Sequence, residues 1–281
     1  MRVTVIGCGT ARPEPESSGS GLLVDSGATS VLLDCGHGVV SRLQRRRDPR
    51  GLSAVVVGHL HADHYVDLIG LRYLFPWKPV DDSRLPVHLP PGGRERLARL
   101  AVAISERPSF FEDAFDVVDY DTSAELRVGD LTMRAVPGRH YIPAWGFEVV
   151  DSAGERLLYA GDTGPNDEVV TAARGADLLI AEATLAHAAD DDSRRGHLTA
   201  DEAIDIAMAA GVSRAVLVHY PKARRAHLAD KCAVRGGVAV VGWPGMSIDV
   251  RPIARRPGAS RSAQAPAGQA GASSAADLPA G

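Results

Sequence analysis

The segment His59-Leu60-His61-Ala62-Asp63-His64 constrains this chain more than any other feature. Four potential metal ligands stand within six residues, directly after the β-branched run Ala54-Val55-Val56-Val57. That run is long enough for a buried strand and too short for a helix. On extended backbone His59 and His61 project to the same side. Where the chain turns into a helix, Asp63 and His64 face a second position beside the first. Three further residues follow the same rule. His140 ends the run Leu131 to Arg139, Asp162 ends Leu157-Leu158-Tyr159-Ala160-Gly161, and His219 ends Ala215-Val216-Leu217-Val218. Strand ends from one sheet meet along one edge, where sites of α/β folds form. A lone His at a strand end is most often a satisfied polar residue. A cluster of four followed by three more at equivalent positions is hard to obtain by chance.

These residues supply five imidazoles and two carboxylates. Two four- or five-coordinate metals with an open position need such a set. Asp162 can bridge the ions, since one carboxylate has two oxygens. Metal binding brings the pKa of a bound water close to neutrality, so phosphoryl or acyl hydrolysis needs no organic cofactor. The imidazole-rich set favours zinc; manganese and iron also match the ligand types.

The remaining pattern predicts strands at Val3 to Ile6, Leu22 to Asp25, Ser30 to Asp34 and Pro86 to Leu89. Helices are predicted at Val39 to Arg46, Asp63 to Phe75 and Arg94 to Ile104. Ser105 to Asp113 reads as a loop or lid candidate with an exposed-looking pair, Phe110-Phe111. Strands follow at Phe115 to Tyr120, Glu125 to Val128, Leu131 to Val136, Trp145 to Val150 and Arg156 to Tyr159. Then strands (Leu178 to Ala181, Ala215 to Val218, Val238 to Val241, Ser247 to Val250) interleave with helices at Glu168 to Arg174, Thr199 to Ala210 and Leu228 to Val234. Thr199 with Glu202 three residues on forms a capping box. Two sheets packed face to face with helices outside are expected.

Residues 1–253 suffice for one large domain. Ala254 onward is Ala, Gly, Ser, Pro and Gln with little apolar surface to bury, and reads as a disordered tail. The net charge of −4 gives no global basic field for nucleic acid. Arg45-Arg46-Arg47 and Arg224-Arg225 are local basic candidates, although short Arg runs are more often solvated surface. Cys8, Cys35 and Cys232 form no disulfide framework and no CxxC pair, which fits a reducing compartment with the cytoplasm as default. No apolar run long enough for a membrane span is present.

The sequence resembles the metallo-β-lactamase fold superfamily over residues 1 to 253. His59 to His64 is similar to its HxHxDH signature, and His140, Gly161-Asp162-Thr163-Gly164 and His219 resemble its later ligand motifs in order. The resemblance implies a four-layered αββα sandwich. It implies that His59, His61 and His140 hold one metal, Asp63, His64 and His219 the other, with Asp162 bridging. Ala181-Glu182-Ala183-Thr184 and Gly196-His197-Leu198-Thr199-Ala200 resemble segments of the ribonuclease Z and cyclic-nucleotide phosphodiesterase branch. There the residue at the position of His197 assists at the scissile phosphate. His197 directly precedes the capped helix, whose N-terminal N–H groups and positive dipole end also favour phosphate. Glu182 could orient His197, and Asp63 would position the nucleophile; the bland alternative is that His197 only belongs to the cap.

Two departures narrow the reading. Ribonuclease Z carries a long arm, used to grip tRNA, between the positions of His140 and Asp162; here only residues 141–161 lie between. The segment Asp34-Cys35-Gly36-His37-Gly38 has His where ribonuclease Z usually has Glu. A compact enzyme acting on a small phosphodiester, such as a cyclic nucleotide, is therefore expected ahead of a tRNA 3′-end endonuclease or a lactone or acyl hydrolase. The family often forms homodimers. Among the other histidines, His88 reads as structural, His187 as a residue at a pocket mouth beside Asp190-Asp191-Asp192, and His227 as part of a basic patch. Trp77, Phe110, Phe111, Tyr141 and Trp145 could stack on a base but more often pack loops or core.

Overall fold

The computed structural model describes residues 1–76, 84–191 and 194–251. Trp77, Asp192 and the segment 254–281 lie outside the described residues. Strands β1 (Arg2–Gly7), β2 (Gly21–Asp25), β3 (Ser30–Leu33), β4 (Ala54–Val56), β5 (Leu85–Leu89) and β6 (Phe115–Asp119) build a first sheet. A second holds β7 (Glu125–Val128), β8 (Leu131–Pro137), β9 (Trp145–Val150), β10 (Arg156–Tyr159), β11 (Leu178–Glu182), β12 (Ala215–Val218) and β13 (Ala239–Val241). The last strand, β14 (Ser247–Asp249), returns to the first sheet and pairs antiparallel with β1. The strand orders are β14-β1-β2-β3-β4-β5-β6 and β13-β12-β11-β10-β9-β8-β7. The helices are α1 (Val39–Gln44), α2 (Ala62–Tyr65), α3 (Leu68–Arg72), α4 (Gly93–Ser105), α5 (Asp167–Ala173), α6 (Ala200–Ala210) and α7 (Arg225–Val234).

Alternation along the strands fixes the layers, because successive side chains point to opposite faces. Leu22, Val24, Val31, Leu33, Ala54 and Val56 face the second sheet, meeting Met133, Phe147 and Val149. The intervening Leu23, Leu32, Val55 and Val57 face outward onto Val39 and Leu43 of α1, Leu68 and Leu71 of α3 and Leu97 of α4. On the far side Val169, Ile204 and Leu228 carry α5, α6 and α7 onto the second sheet. Both faces of these strands are covered, so they read as continuous apolar runs. The result is the expected αββα sandwich. The α6 box is present, with the Glu202 N–H donating to Thr199 Oγ1, and Gly211 closes the helix in the left-handed region at φ 71°.

Two expectations change. The helix expected over Asp63 to Phe75 is two short helices, α2 and α3. The carbonyls of Asp63 and His64 accept from the N–H groups of Ser20 at 2.9 Å and Cys35 at 2.7 Å, and the Asp67 N–H turns to the Cys35 carbonyl. Tertiary partners thus interrupt the i→i−4 ladder. Beyond Ser105, the stretch to Asp113 is a loop, as read, but its aromatic pair is not exposed: Phe110 and Phe111 are buried at 0% and 2% exposure, 4.8 Å apart edge to face. Each such ring contributes about 1.5–3 kcal/mol when buried, and the Phe110 carbonyl also takes the buried Arg72 Nε. No helix among the described residues is long and apolar enough to cross a membrane.

Candidate functional site

The C-terminal ends of β4, β8, β10 and β12 converge at one edge of the sandwich. There the Trp145 N–H donates to the Gly58 carbonyl at 3.1 Å and His59 bridges to Ala144, joining the two sheets. All seven residues singled out as ligands meet here. His59 Nε2 lies 3.2 Å from His61 Nδ1, which lies 2.9 Å from His140 Nε2. Beside this trio, Asp63 Oδ2 is 3.1 Å from His219 Nε2 and 3.7 Å from His64 Nε2. Asp162 Oδ2 sits between the groups, 3.8 Å from His59 Nε2, 3.3 Å from His64 Nε2 and 3.4 Å from His219 Nε2. His59, Asp63, His64, Asp162 and His219 are buried; His61 and His140 are half-buried.

Outer partners hold the Nδ1 sides of three rings and leave their Nε2 atoms turned into the cluster. His64 Nδ1–H donates to Asp34 Oδ2 at 2.8 Å, His140 Nδ1–H to the Gly196 carbonyl at 2.7 Å and His219 Nδ1–H to Thr184 Oγ1 at 2.8 Å. A ligating imidazole needs such a partner to fix its tautomer. Asp34 also accepts from the Gly58 N–H at 2.8 Å and the Tyr159 hydroxyl at 2.7 Å. The sequence reading assigned Asp34 no role, although it too is an Asp just past a strand end. Asp34 and His219 both adopt left-handed backbone, at φ 61° and 49°. That conformation is costly for residues with a Cβ and collects at functional sites.

The electrostatics suit a cation. Burial pushes His59 well below its ordinary pKa and lowers His61 and His140, keeping these rings neutral. Burial opposes ionisation of Asp162, but His219, His64 and His59 hold its carboxyl well below the usual range. Burial likewise opposes charging of His64, which the Asp162 and Asp34 carboxylates nevertheless raise well above 6.5. The negative charge that draws protons to these rings would equally draw a dication in their place. Asp162 Oδ1 is buried and has no hydrogen-bond partner. An orphan carboxylate oxygen is costly unless a cation meets it, so the donor set fits divalent metals.

His197 and Glu182 adjoin this cluster. The His197 ring stacks on His219 at 5.6 Å and meets His140 edge-on at 4.9 Å. Its Nδ1 donates to Glu182 Oε1 at 2.7 Å. Burial works against protonation, yet the Glu182 hydrogen bond raises His197 to about 9. Glu182 is itself 1% exposed and accepts from the N–H groups of Thr163 and Thr184 and the Thr184 hydroxyl. Thr184 thereby links Glu182 to His219, a connection the sequence did not signal. Among the described aromatics, Tyr141 lies against Gly196, His140 and His197, and Trp145 against Tyr120. His187 and His227 are exposed, away from the ligand cluster, and His88 is half-buried in β5.

Comparison with known proteins agrees with this geometry. A family model described as a beta-lactamase superfamily domain matches residues 29–220. The protein Rv1339 of Mycobacterium tuberculosis is 34% identical over 232 residues, covering 79% of this chain and 81% of that protein. A ribonuclease Z of Mycobacterium bovis is 31% identical over 242 residues, covering 78% and 86%. The crystal structure of the metallo-beta-lactamase fold protein YhfI from Bacillus subtilis superposes with a TM-score of 0.76 at 26% identity, over 88% of this chain and 99% of that one.

Proposed function

The chain belongs to the metallo-β-lactamase superfamily and is a metal-dependent hydrolase, and from that premise we propose that it cleaves a small phosphodiester, such as a cyclic nucleotide, with two divalent ions, zinc favoured. In this reading His59, His61 and His140 would hold one ion and Asp63, His64 and His219 the other, with the Asp162 carboxylate available to both. Such ions would supply a lowered pKa for water and offset charge on the phosphate oxygens. Asp63 positions the attacking water. His197 is the general acid: Glu182 holds its Nδ1 and keeps the ring protonated near neutral pH. Its Nε2–H is then the donor for the leaving oxygen as the P–O bond breaks.

The observation that carries the reading is the buried Glu182–His197 pair stacked against the ligand cluster. Acyl or lactone hydrolysis on the same cluster would not need it. The ribonuclease Z relative raises tRNA 3′-end processing as the second reading. Against it, β9 and β10 lie within residues 141–161 and the stretches around them are five residues or shorter, leaving no segment for a tRNA-gripping arm. The net charge of −4 also disfavours a large polyanion.

The test is turnover by zinc- and manganese-loaded protein on 3′,5′-cyclic AMP, bis(p-nitrophenyl) phosphate, a precursor tRNA and a lactone. Cleavage of the cyclic nucleotide with tRNA untouched is expected. Cleavage of tRNA at its 3′ end would favour the second reading, and activity on the lactone alone would overturn both.

A further inference from the structure

The residue that follows His219 reaches a cavity of about 680 Å³. Tyr220 forms one wall, its N–H bonded to the Cys8 carbonyl at 3.1 Å. The segment that follows is tied back to the metal cluster, since Arg224 donates to the Thr184 carbonyl at 2.9 Å and Thr184 holds His219. The rest of the wall is basic: Arg42 from α1, Arg45 just beyond it, Lys222, and Arg225 at the start of α7. Glu16, the carboxylate lining the cavity, is paired with Lys222 at 3.0 Å. Arg42 donates to the Glu16 backbone carbonyl, a neutral acceptor. Among the described residues no carboxylate pairs with Arg45 or Arg225. The Arg225 guanidinium lies over the Trp243 ring, 5.4 Å from its centroid, and that ring is 42% exposed. Such a contact aims the charge without neutralising it.

The chain carries net negative charge, so this surplus of cations is local. Like charges gathered around a concave wall repel each other, and an anion seated between them relieves the repulsion. Arginine forks suit phosphate in particular. A cyclic mononucleotide has a single phosphate, which the metal cluster and His197 would occupy. The cavity is large enough for a further nucleotide unit.

We infer that this cleft seats a second, non-reacting phosphate of the substrate. The preferred substrates are then nucleotide phosphodiesters that carry another phosphate beside the scissile one, as phosphorylated dinucleotides and short oligonucleotides do. This inference rests on the phosphodiesterase reading of the metal cluster and names its substrate class.

The test uses two dinucleotides that share one scissile diester and differ only in a terminal 5′-phosphate. The full-length metal-loaded protein should show a kcat/KM about tenfold or more higher on the phosphorylated one, the worth of a charge-assisted hydrogen bond, and the gain should lie in KM. The double variant Arg45→Ala/Arg225→Ala should bring that ratio close to one, and Arg45→Lys should retain most of it. Equal kcat/KM in the unaltered protein, or a ratio unmoved in the double variant, overturns the inference. If cyclic AMP is cleaved and neither dinucleotide is, the inference is overturned; if none of the three is cleaved, the phosphodiesterase reading is what fails. The cleft is then judged by tryptophan fluorescence with adenosine 3′,5′-bisphosphate as probe. Saturable quenching that vanishes in Trp243→Phe and weakens in the double variant upholds the anion site, and its absence overturns it.

Discussion

Replacing His197 by alanine separates proton donation from metal chemistry. A positioned general acid contributes roughly 10²- to 10⁴-fold, or about 3–5 kcal/mol of barrier. In this fold that contribution depends on one contact, the 2.7 Å hydrogen bond from His197 Nδ1 to Glu182 Oε1. The loss should depend on the leaving group. An alkoxide, as from 3′,5′-cyclic AMP, needs the proton, whereas p-nitrophenolate departs without it. kcat of His197→Ala should therefore fall about 10²- to 10⁴-fold on the cyclic nucleotide and less than about tenfold on bis(p-nitrophenyl) phosphate. Glu182→Gln should lose part of the same activity, and in the His197→Ala background it should cost less than it does alone, because only its Thr184 contacts are then left to lose. Metal content by mass spectrometry and a thermal scan distinguish this from unfolding. Equal losses on both substrates, or additive losses in the double variant, would refute the reasoning.

Other outcomes follow from the surroundings of the cluster. Asp34→Asn removes the carboxylate that fixes His64, so affinity for the second of two ions should drop about 10- to 100-fold in a metal titration; an unchanged isotherm would contradict that role. A Cβ at Gly36 would stand 1.8 Å from the Asp63 carbonyl. Gly36→Ala should therefore displace the ligand loop and lower both Tm and bound metal together, and a variant with full metal content would show the contact to be dispensable. Burial pushes the Cys8 thiol up to about 11, which leaves about one part in a thousand as thiolate at pH 8. Iodoacetamide should label Cys8 slowly at that pH and rapidly only above about pH 10 or in denaturant; fast labelling of the folded protein at pH 8 would contradict this.

The ligand cluster was legible because four donors crowd into six residues after the apolar run of β4, and His140, Asp162 and His219 each follow a strand of their own. Asp34 follows the same rule after β3, yet its partners His64 and Tyr159 lie 30 and 125 residues away. No local pattern records such pairings. The break between α2 and α3 was hidden for a like reason, since its cause is hydrogen bonding from Ser20 and Cys35. Phe110 and Phe111 lack the periodicity that would reveal which way they point, and only the packing of α3 and α4 against them settles it. The basic runs after Leu43 and before Leu228 read separately as solvated surface. Arg47 does pair with Asp25 at 2.7 Å, but the fold sets Arg45 and Arg225 on one wall.

The return of β14 to the edge of the first sheet sets the order in which the molecule can be completed. Arg2 to Thr4 pair with Ser247 to Asp249, at opposite ends of the described chain. During synthesis the sheet that carries His59 and His61 has an open flank until residue 249 has emerged. An unpaired flank is a template for association between chains. A cut between β6 and β7 would leave β14 on the fragment that lacks β1. Pairing at such sequence separation is slow to form, so the seam that borders the sheet of His59 and His61 is expected to close late.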